Sequence, residues 1–457
     1  MTTPLRSRLL TFLGVALAFV LLLTMYRYTS RYYSINSDIA NAILEAQDVL
    51  NGNVFLSHWY LTTVTFYTTD VLLFAFSLQF LPFKTGTIHD VNAFIFTMTV
   101  LFSVWLAGRR ENTNKLSILG MMAAFLVLAF PSFHHGVASL LGPIHMGTMM
   151  WIVPALLALD LPNALTIPKG DEGESRFKAL KSLPWSRLAL ASLCLSIALI
   201  GDTMTLFVIV LPIALVSLLR IRKNQGERWL EAAILGVCFT TVFITKAFGL
   251  VVRMANGYRM PLSGTSNISF VEFPHFFDNI RYTIQGLLRV YNADFFGIAL
   301  RRSAAVPLLS FVGLCLIFFC LLHLFSALIR SQKSSEPSPE SPVAAVDRIS
   351  AIIGVGMIIN VLSYAFGNFV VELMTIRYFV PFVIYSGILI GRYGVDLWST
   401  TQQPIRREAA IAFLAASFSA FYVFTARLLT QPLPGPSPAL QLSGDLPTAM
   451  EPTGPVR

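Results

Sequence analysis

Three aspartates, Asp38, Asp70 and Asp202, lie beside or within apolar segments, where a carboxylate can act as a general base. Such a carboxylate is a functional candidate because its burial in a membrane is costly. Each position also has a structural interpretation. Asp38 could complement the dipole of the helix that follows it, and Asp202 could cap a helix that begins at Thr203. For Asp70 the alternative is a helix cap formed by Thr68 or by Asp70 itself.

A second group of residues could bind anions or polar ligands. Arg377 opens a late apolar segment beside Tyr378. Its guanidinium could bind a phosphate through two parallel hydrogen bonds, or it could anchor the chain at a membrane interface. His134, His135 and His145 lie together between two apolar segments. The adjacent pair has no metal-binding spacing by itself, and hydrogen bonding within the loop is the simpler interpretation.

Basic residues also gather between residues 246 and 302. Lys246, Arg253 and Arg259 lie where a long apolar segment ends, and four more arginines follow before residue 303. They could bind anionic headgroups or a lipid-linked phosphate, and ordinary interfacial anchoring is the alternative. The four cysteines all fall within apolar segments, which is typical of small core residues and predicts neither a disulfide framework nor a metal site.

Membrane helices must position these residues, because the composition excludes a soluble domain. The chain has 457 residues, of which 55% are hydrophobic and only 12% are charged, about half the charged share of soluble domains. The net charge of +9 would suit nucleic acid, but the basic residues lie mainly in short loops between apolar runs, as the positive-inside rule predicts. The sequence contains no Walker-type or dinucleotide-type glycine loop. We therefore predict an all-α, polytopic transmembrane bundle in contact with membrane lipids, with neither nucleic acid nor nucleotide as a partner.

The apolar segments predict where the helices lie. As a single helix, 187–219 would be roughly 50 Å long, which exceeds the hydrocarbon core of about 30 Å. We therefore divide it at Gly201-Asp202 into a helical hairpin with short arms. The apolar segments are 9–26, 61–82, 90–107, 116–130, 146–161, 187–219, 229–252, 304–329, 349–367, 374–396 and 409–428.

The segment 61–82 decides the topology. If it spans the membrane, the basic loops after it change sides. If it is a re-entrant or interfacial helix on the outer side, the basic loops fall on one side, as the positive-inside rule requires. We therefore predict about 11 spans, with a range of roughly 10–13, an inner N-terminus and an outer C-terminus. The first outer loop then carries the re-entrant helix and a short amphipathic helix.

The amphipathic helix is predicted within 36–52, where Gly52 can end it. Its apolar face consists of Ile39, Ile43, Ala46 and Leu50. We divide the chain into a module over 1–251, an outer loop with a second transmembrane module over 252–428, and a Pro-rich tail over 429–457. The tail has the composition of a disordered segment, and 331–342 that of an inner linker.

The order of several short motifs resembles the GT-C superfamily of membrane glycosyltransferases. A first span is followed by an outer loop with Asp38, a helix ending in Leu-Asn-Gly-Asn, and then Trp-Tyr-Leu-Thr-Thr. Similar later stretches are Gly142-Pro-Ile-His-Met-Gly147, Gly201-Asp202 before a span with Pro212, and Glu372-Leu-Met-Thr-Ile-Arg-Tyr-Phe-Val-Pro381. Many members also carry His-Pro-Pro in the first outer loop, where 67–72 here reads Tyr-Thr-Thr-Asp-Val-Leu. This departs from the mannosyl- and aminoarabinosyl-transferase branches and leaves the donor sugar open.

The resemblance implies transfer of a sugar from a polyprenyl-phosphate-linked donor at the outer face of the inner or plasma membrane. Asp38 matches the position of the base in that superfamily, and Asp70 and Asp202 are further candidate catalytic carboxylates. A single displacement would invert the anomeric carbon. Some members use a divalent metal ion, but no ligand spacing here is strong enough to predict one. The candidate residues for binding the sugar or its phosphate are His134, His135, His145, Arg253, Arg259, Arg377 and Tyr378.

Two other functions remain as alternatives. A transporter or flippase of a lipid-linked or small substrate would more often show mid-span charges, paired broken helices and related halves. Here the acidic residues lie toward the outer ends of the predicted spans. A binding or assembly protein without catalysis is the third reading. The short inner loops and the lack of a soluble domain leave few residues with which such a protein could bind a partner.

Overall fold

The computed structural model describes residues 3–31, 35, 37–61, 64–109, 116–131, 140, 145–161, 183–222, 228–260, 270–297, 304–330, 346–368 and 373–400. Within this part the regular elements are helices, with two isolated β-bridges, as the all-α prediction requires. The predicted linker 331–342, the apolar segment 409–428 and the tail 429–457 lie outside the described residues.

The helices follow the apolar segments closely. In chain order they are α1 (Thr3–Ser30), α2 (Ser37–Leu50), α3 (Leu72–Leu78), α4 (Thr85–Gly108), α5 (Ile118–Leu128), α6 (Met146–Leu159), α7 (Trp185–Gly201), α8 (Leu211–Arg222), α9 (Arg228–Met254), α10 (Phe276–Val290), α11 (Ala305–Arg330), α12 (Arg348–Phe366), α13 (Val380–Leu389) and α14 (Val395–Thr400). Wider π-type turns at Tyr67–Val71, Leu206–Val210 and Ile390–Gly394, and tighter 3₁₀ turns at Phe273–His275 and Leu373–Phe379, adjoin them.

Six helices in the described part are long and apolar enough to cross a membrane, so the chain is a polytopic helical membrane protein. They are Leu13–Ser30, Thr85–Gly108, Arg228–Met254, Ala305–Ile329, Arg348–Phe366 and Thr375–Leu397. Four further apolar helices are shorter. One of them, Tyr67–Leu78, would extend over about 18 Å at 1.5 Å per residue, less than the thickness of the hydrocarbon core. The total of eleven spans and the re-entrant placement of 61–82 remain predictions.

The predicted division of 187–219 is present in the structure. Helix α7 ends at Gly201, Asp202 has extended backbone geometry (φ −150°), and helical structure resumes at Met204, before the π-type turn that begins at Leu206. The 17 residues of α7 extend over about 25 Å. Both α7 and α8 pack against α9, so the break places Asp202 at one end of the bundle.

Helices α6 and α7 run in opposite directions, and their contacts define two ends of the bundle. At one end His145, which precedes α6, contacts Asp202, which follows α7. At the other end the Arg187 guanidinium donates to the carbonyl of Asp160, the residue after α6. We call these the site end and the basic end. The helices between them hold the two groups of residues apart by the length of α6, about 21 Å.

A buried charge cluster closes the basic end. Arg392 lies 2.5 Å from Asp160 and 2.9 Å from Asp347, and Arg109 lies 3.0 Å from the second oxygen of Asp160. The side chains of Arg392 and Asp160 are each only 1% exposed. The positive-inside rule predicts that arginines near the ends of apolar segments share one side of the membrane, and Arg109 and Arg392 meet at one end of the bundle. It did not predict that they pair with buried carboxylates.

A second buried cluster at this end centres on Glu231. The Arg348 guanidinium donates to Glu231 Oε1 through Nη2 at 2.9 Å and through Nε at 3.0 Å, and Arg220 Nε donates to the same oxygen at 2.7 Å. Ion pairs of this depth need accurate geometry to offset the loss of hydration. The two clusters therefore connect the ends of α8, α9 and α12 with those of α4, α6 and the segment after α13.

Helix α2 is amphipathic, with one departure from the predicted face. Ile39, Ile43 and Ala46 are buried, whereas Leu50 is 41% exposed. Gly52 ends the helix with φ +99°, a conformation that favours glycine. The buried face packs against α3 and the π-type turn before it, so α2 covers the segment that carries Asp70. Leu50 falls in the last turn, beyond the reach of that packing.

Candidate active site at one end of the bundle

The π-type turn Tyr67–Val71 is attached to the C-terminal end of α7. The Phe66 N–H donates to the Gly201 carbonyl at 2.8 Å, and the Thr68 hydroxyl donates to the Ile197 carbonyl at 2.6 Å. The Gly201 carbonyl, at the end of α7, lacks a partner within the helix, so the bond from Phe66 satisfies a group that would otherwise be left to other partners. The attachment fixes Asp70 at the site end.

Asp70 is a buried carboxylate with one unsatisfied oxygen. Its Oδ2 accepts a hydrogen bond from the Thr69 hydroxyl at 2.7 Å. Its Oδ1 is buried and has no hydrogen-bond partner among the described residues. The carboxyl group lies directly against Gly147 in the first turn of α6, where a Cβ atom would come within 2.7 Å of Asp70 Cγ. A buried, unpaired carboxylate oxygen is costly, and such exceptions call for a functional explanation.

Asp202 is held by three donors. Its Oδ2 lies 2.6 Å from Nδ1 of His145 and accepts a bond from the Thr148 hydroxyl at 2.9 Å. Its Oδ1 accepts the backbone N–H of Met204 at 2.9 Å. The last contact is the helix-capping role that the sequence offered as the structural interpretation. The contact with His145 is additional to this cap, and the catalytic interpretation of Asp202 stays a prediction.

Two residues at the site end have strained backbone geometry. His145 has φ +59° and Phe66 has φ +46°, in the left-handed region that residues other than glycine adopt uncommonly. Their rings meet edge to face with centroids 5.7 Å apart, and the His145 ring lies 5.0 Å from that of Tyr378. Strain of this kind persists where surrounding contacts over-determine the geometry, and it is frequent at functional sites.

The pKa values of Asp70 and Asp202 are shifted in opposite directions. Burial raises the pKa of Asp70 to about 7, against the lowering effect of the Thr69 hydrogen bond and with a smaller raising effect from the charge of Asp202. Burial also acts to raise the pKa of Asp202, but the charge and hydrogen bond of His145, together with the bonds from Met204 and Thr148, bring it below its ordinary value. Near neutral pH, Asp202 is therefore ionised while Asp70 exchanges its proton.

The titration of Asp70 gives a stability prediction. The folded state raises the pKa of Asp70 to about 7, whereas the ordinary pKa of an aspartate is 3.8. Because the native state binds this proton more tightly than the unfolded chain, its stabilising contribution is complete below pH 4 and is lost as the pH rises through 7. Asp70→Asn is expected to raise the melting temperature at pH 8 and to reduce the loss of stability between pH 5 and pH 8. Thermal unfolding in detergent at several pH values measures both effects, and an unchanged slope would contradict the assignment.

The structure brings together Asp70, His145, Asp202 and Tyr378, but it places other candidates differently. Arg377 lies in the turn Leu373–Phe379 with its guanidinium 5.7 Å from the Tyr378 ring, so it borders the site through that ring. Arg253 and Arg259 are exposed. Arg253 donates to the carbonyl of Gly249, and the backbone of Arg259 pairs with the segment 59–61. Among the described residues, neither arginine contacts the buried carboxylates, and an interfacial role fits their exposure.

Three candidates fall on side chains that are not described. The backbone of Asp38 belongs to the first turn of α2, but its side chain lies outside the described residues. His134 and His135 also lie outside them. Because α2 packs on the π-type turn that carries Asp70, the backbone of Asp38 belongs to an element adjoining the site.

Sequence reasoning missed several residues of this region. Glu45 on α2 is buried, and burial raises its pKa to about 8. It lies seven residues after Asp38, a spacing that places both on one helix face and could have identified it. Thr148 and Gly147 contact Asp202 and Asp70 from the first turn of α6. Only their proximity in sequence to His145 pointed to them.

The described residues include no group of three or more His, Cys, Asp or Glu side chains arranged to hold a metal ion. In addition, both oxygens of Asp202 already accept hydrogen bonds. The arrangement is suited to proton transfer, because it joins an ionised carboxylate, an imidazole and a carboxyl group that titrates near neutrality. No family model matches the chain, and no curated protein or solved structure matches it either.

Proposed function

We propose that the protein is a membrane glycosyltransferase of the GT-C type, which transfers a sugar from a polyprenyl-phosphate donor to an acceptor hydroxyl at the outer face of the membrane. One observation supports this proposal above the others. Asp70, His145, Asp202 and Tyr378 are far apart in sequence, yet they meet at one end of the bundle, opposite the cluster of arginines. Arginine-rich helix ends are typical of the cytosolic side, which supports an outer position for the site end.

The reaction requires a proton acceptor for the hydroxyl group and cationic or hydrogen-bond donors for the departing phosphate. Asp38 is the base that the resemblance implies, and α2 packs beside the turn that carries Asp70. Arg377, next to Tyr378, is suited to bind the phosphate because guanidinium matches its geometry. A single displacement gives inversion at the anomeric carbon.

The charges of the site favour different positions for the acceptor hydroxyl and the donor phosphate. Asp70 and Asp202 together oppose the approach of a phosphate to the first turn of α6, because like charges at short range repel in a buried setting. A neutral hydroxyl meets no such repulsion and can donate a hydrogen bond to these groups. We therefore place the acceptor hydroxyl beside His145 and the donor phosphate on the Arg377 side of Tyr378.

A transporter or flippase is the second candidate, and one observation favours it. Burial raises the pKa of Asp70 to about 7, which suits a carboxyl group that carries a proton in a coupled transporter. Proton uptake coupled to substrate movement, without any new glycosidic bond, is the result that would support this function.

The test uses membranes of a strain that lacks the protein, complemented with the wild type, Asp38→Asn, or the exposed control Asp278→Asn. Membranes are incubated with a panel of radiolabelled polyprenyl-phosphate sugars, and the glycan and glycolipid products are separated. The wild type and Asp278→Asn are expected to form one labelled product that is missing from the deletion strain. Asp38→Asn is expected to lower its rate of formation by about 10²–10⁴-fold at equal membrane levels.

Two outcomes would contradict parts of this proposal. If the profiles of the deletion strain and the wild type are identical with every donor, the protein is not a glycosyltransferase of this kind. If Asp38→Asn restores the product fully, Asp38 is not the base. Labelling of a single cysteine placed at exposed residue 278 tests the topology, because a membrane-impermeant reagent is expected to reach it only from outside.

A further inference from the structure

We infer that His145 is a further catalytic residue of this site, with Nε2 as the proton acceptor for the substrate hydroxyl and Asp202 as its positioning residue. This inference rests on the proposed function and changes one role within it, because His145 takes the proton that the resemblance assigns to Asp38. The sequence suggested only that His145 could hydrogen-bond a ligand and that Asp202 was a catalytic carboxylate. The contacts of the two side chains assign them different roles.

The hydrogen bonds around Asp202 determine which imidazole nitrogen carries the proton. Asp202 accepts bonds from the Thr148 hydroxyl and the Met204 N–H, which favour its ionised form. An ionised carboxylate can only accept, so the 2.6 Å contact with His145 requires a proton on Nδ1. In neutral imidazole the other nitrogen, Nε2, then has a free lone pair. This is the tautomer that a histidine base needs.

Nε2 of His145 is the atom left for a substrate. Within the described residues His145 makes its one side-chain hydrogen bond through Nδ1. Asp202 has donors on both oxygens, and the unpaired Oδ1 of Asp70 is fully buried against the first turn of α6. Neither carboxylate is therefore as well placed as the imidazole to meet an incoming hydroxyl.

The surroundings hold the imidazole in one orientation. The centroids of the Phe66 and Tyr378 rings lie 5.7 and 5.0 Å from the centroid of the imidazole ring, and His145 is 3% exposed. The backbone of His145 is strained at φ +59°, which the bond to Asp202 helps to maintain. Among the described residues, the titratable groups around this position include Asp202, Asp70 and Tyr378, and the Arg377 guanidinium lies 5.7 Å from the Tyr378 ring.

The step is a single displacement. The acceptor O–H bond breaks and its proton moves to Nε2, while the oxygen forms the new bond to the anomeric carbon. The bond from that carbon to the phosphate oxygen breaks, and its electron pair leaves with the phosphate. Asp202 stabilises the imidazolium that results, as a buried carboxylate does behind a histidine base. In this scheme the role left to Asp38 is to stabilise the positive charge that develops at the anomeric carbon.

The test measures transfer with the labelled donor that the wild type uses, in detergent-purified full-length protein. His145→Ala is expected to lower kcat by about 10²–10⁴-fold with a much smaller change in KM. Added imidazole is expected to restore part of the rate in His145→Ala. It is expected to fail in the double variant His145→Ala with Asp202→Asn, because Asp202 no longer orients the added base.

Further variants keep the test decisive if His145→Ala does not fold. His145→Gln retains a polar side chain for Asp202 but offers no proton acceptor, so it is expected to lose activity while keeping the wild-type melting temperature. Thr148→Val, which removes one donor from Asp202, is expected to lose activity less than Asp202→Asn. If the wild type is active and His145→Gln keeps more than half of its kcat, this inference is overturned, whereas the proposed function is not. A wild type that transfers no sugar from any donor would instead overturn the proposed function.

Discussion

Replacement of Arg392 by methionine is expected to cost about 3–5 kcal/mol of stability, the largest effect among the substitutions considered for this protein. Arg392 holds two carboxylates at once, at 2.5 Å from Asp160 and 2.9 Å from Asp347. Methionine fills a similar volume but leaves both carboxylates without this partner, and Asp160 is buried. The unfolding transition in detergent, followed by intrinsic fluorescence, measures the loss.

The control for Arg392→Met is a pair of the same type at the surface. Arg289 lies 3.6 Å from Asp294, and both side chains are more than a third exposed. Arg289→Met is expected to change the stability by at most about 1 kcal/mol, because solvent screens exposed pairs. Equal losses of stability in the two variants would show that the ion pairs of Arg392 stabilise the protein no more than an exposed pair does. Adding Asp160→Asn and Asp347→Asn to Arg392→Met should recover much of the loss, since neither position then carries a carboxylate that lacks Arg392. Arg109, the other partner of Asp160, has a side chain that is 33% exposed and can be hydrated.

The helices themselves could be predicted because their cause is local. Apolar runs must form helices in a bilayer, where each backbone polar group needs a partner within the segment. The predicted run 229–252 corresponds to Arg228–Met254, and 349–367 to Arg348–Phe366. The break at Asp202 was also predictable, because a continuous helix there would exceed the membrane thickness.

The pairing at the basic end could not be predicted, because its cause lies in the packing of distant helices. Arg392 and Arg109 have the positions of ordinary inner-loop charges, and a sequence pattern gives such residues no partner. Asp160 follows an apolar segment and was not selected at all. Only the antiparallel packing of α6 beside α7 and the later helices brings these ends together.

The sequence identified several residues of the candidate site, but it did not predict how they are arranged. Asp70, His145 and Asp202 each stood out because a polar group beside an apolar segment is costly to bury. Nothing in their spacing indicated that His145 would bind Asp202, which lies 57 residues away. Arg259 stood out for the same electrostatic reasons, yet its side chain is exposed. Charge near a predicted membrane boundary identifies candidates, and packing decides which of them meet.

Gly147→Ala is expected to disrupt the site through a contact that no sequence pattern reveals. The new Cβ would lie within 2.7 Å of both Cγ and Oδ1 of Asp70, so the carboxyl group must move. It has little room to do so, because Thr69 binds it and the Phe66 N–H attaches the turn before it to α7. We expect a loss of about 1–3 kcal/mol in stability, typical of an overpacked site, together with loss of transfer activity.

A double-mutant cycle tests whether Asp70 is the cause. Asp70→Ser replaces the carboxyl group by a single hydroxyl oxygen, a net loss of two heavy atoms at the point of contact, so it should restore part of the stability lost in Gly147→Ala. The effects of the two changes would add if they were independent. Gly236→Ala is the matched control, because it lies in helix α9 and a Cβ there meets no atom within 4 Å. Alanine favours a helix more than glycine does, so this control should be neutral or slightly stabilising. A Gly147→Ala protein as stable as the Gly236→Ala control would show that Asp70 can leave its position freely. The close packing that holds the carboxyl group beside His145 and Asp202 would then not constrain the site.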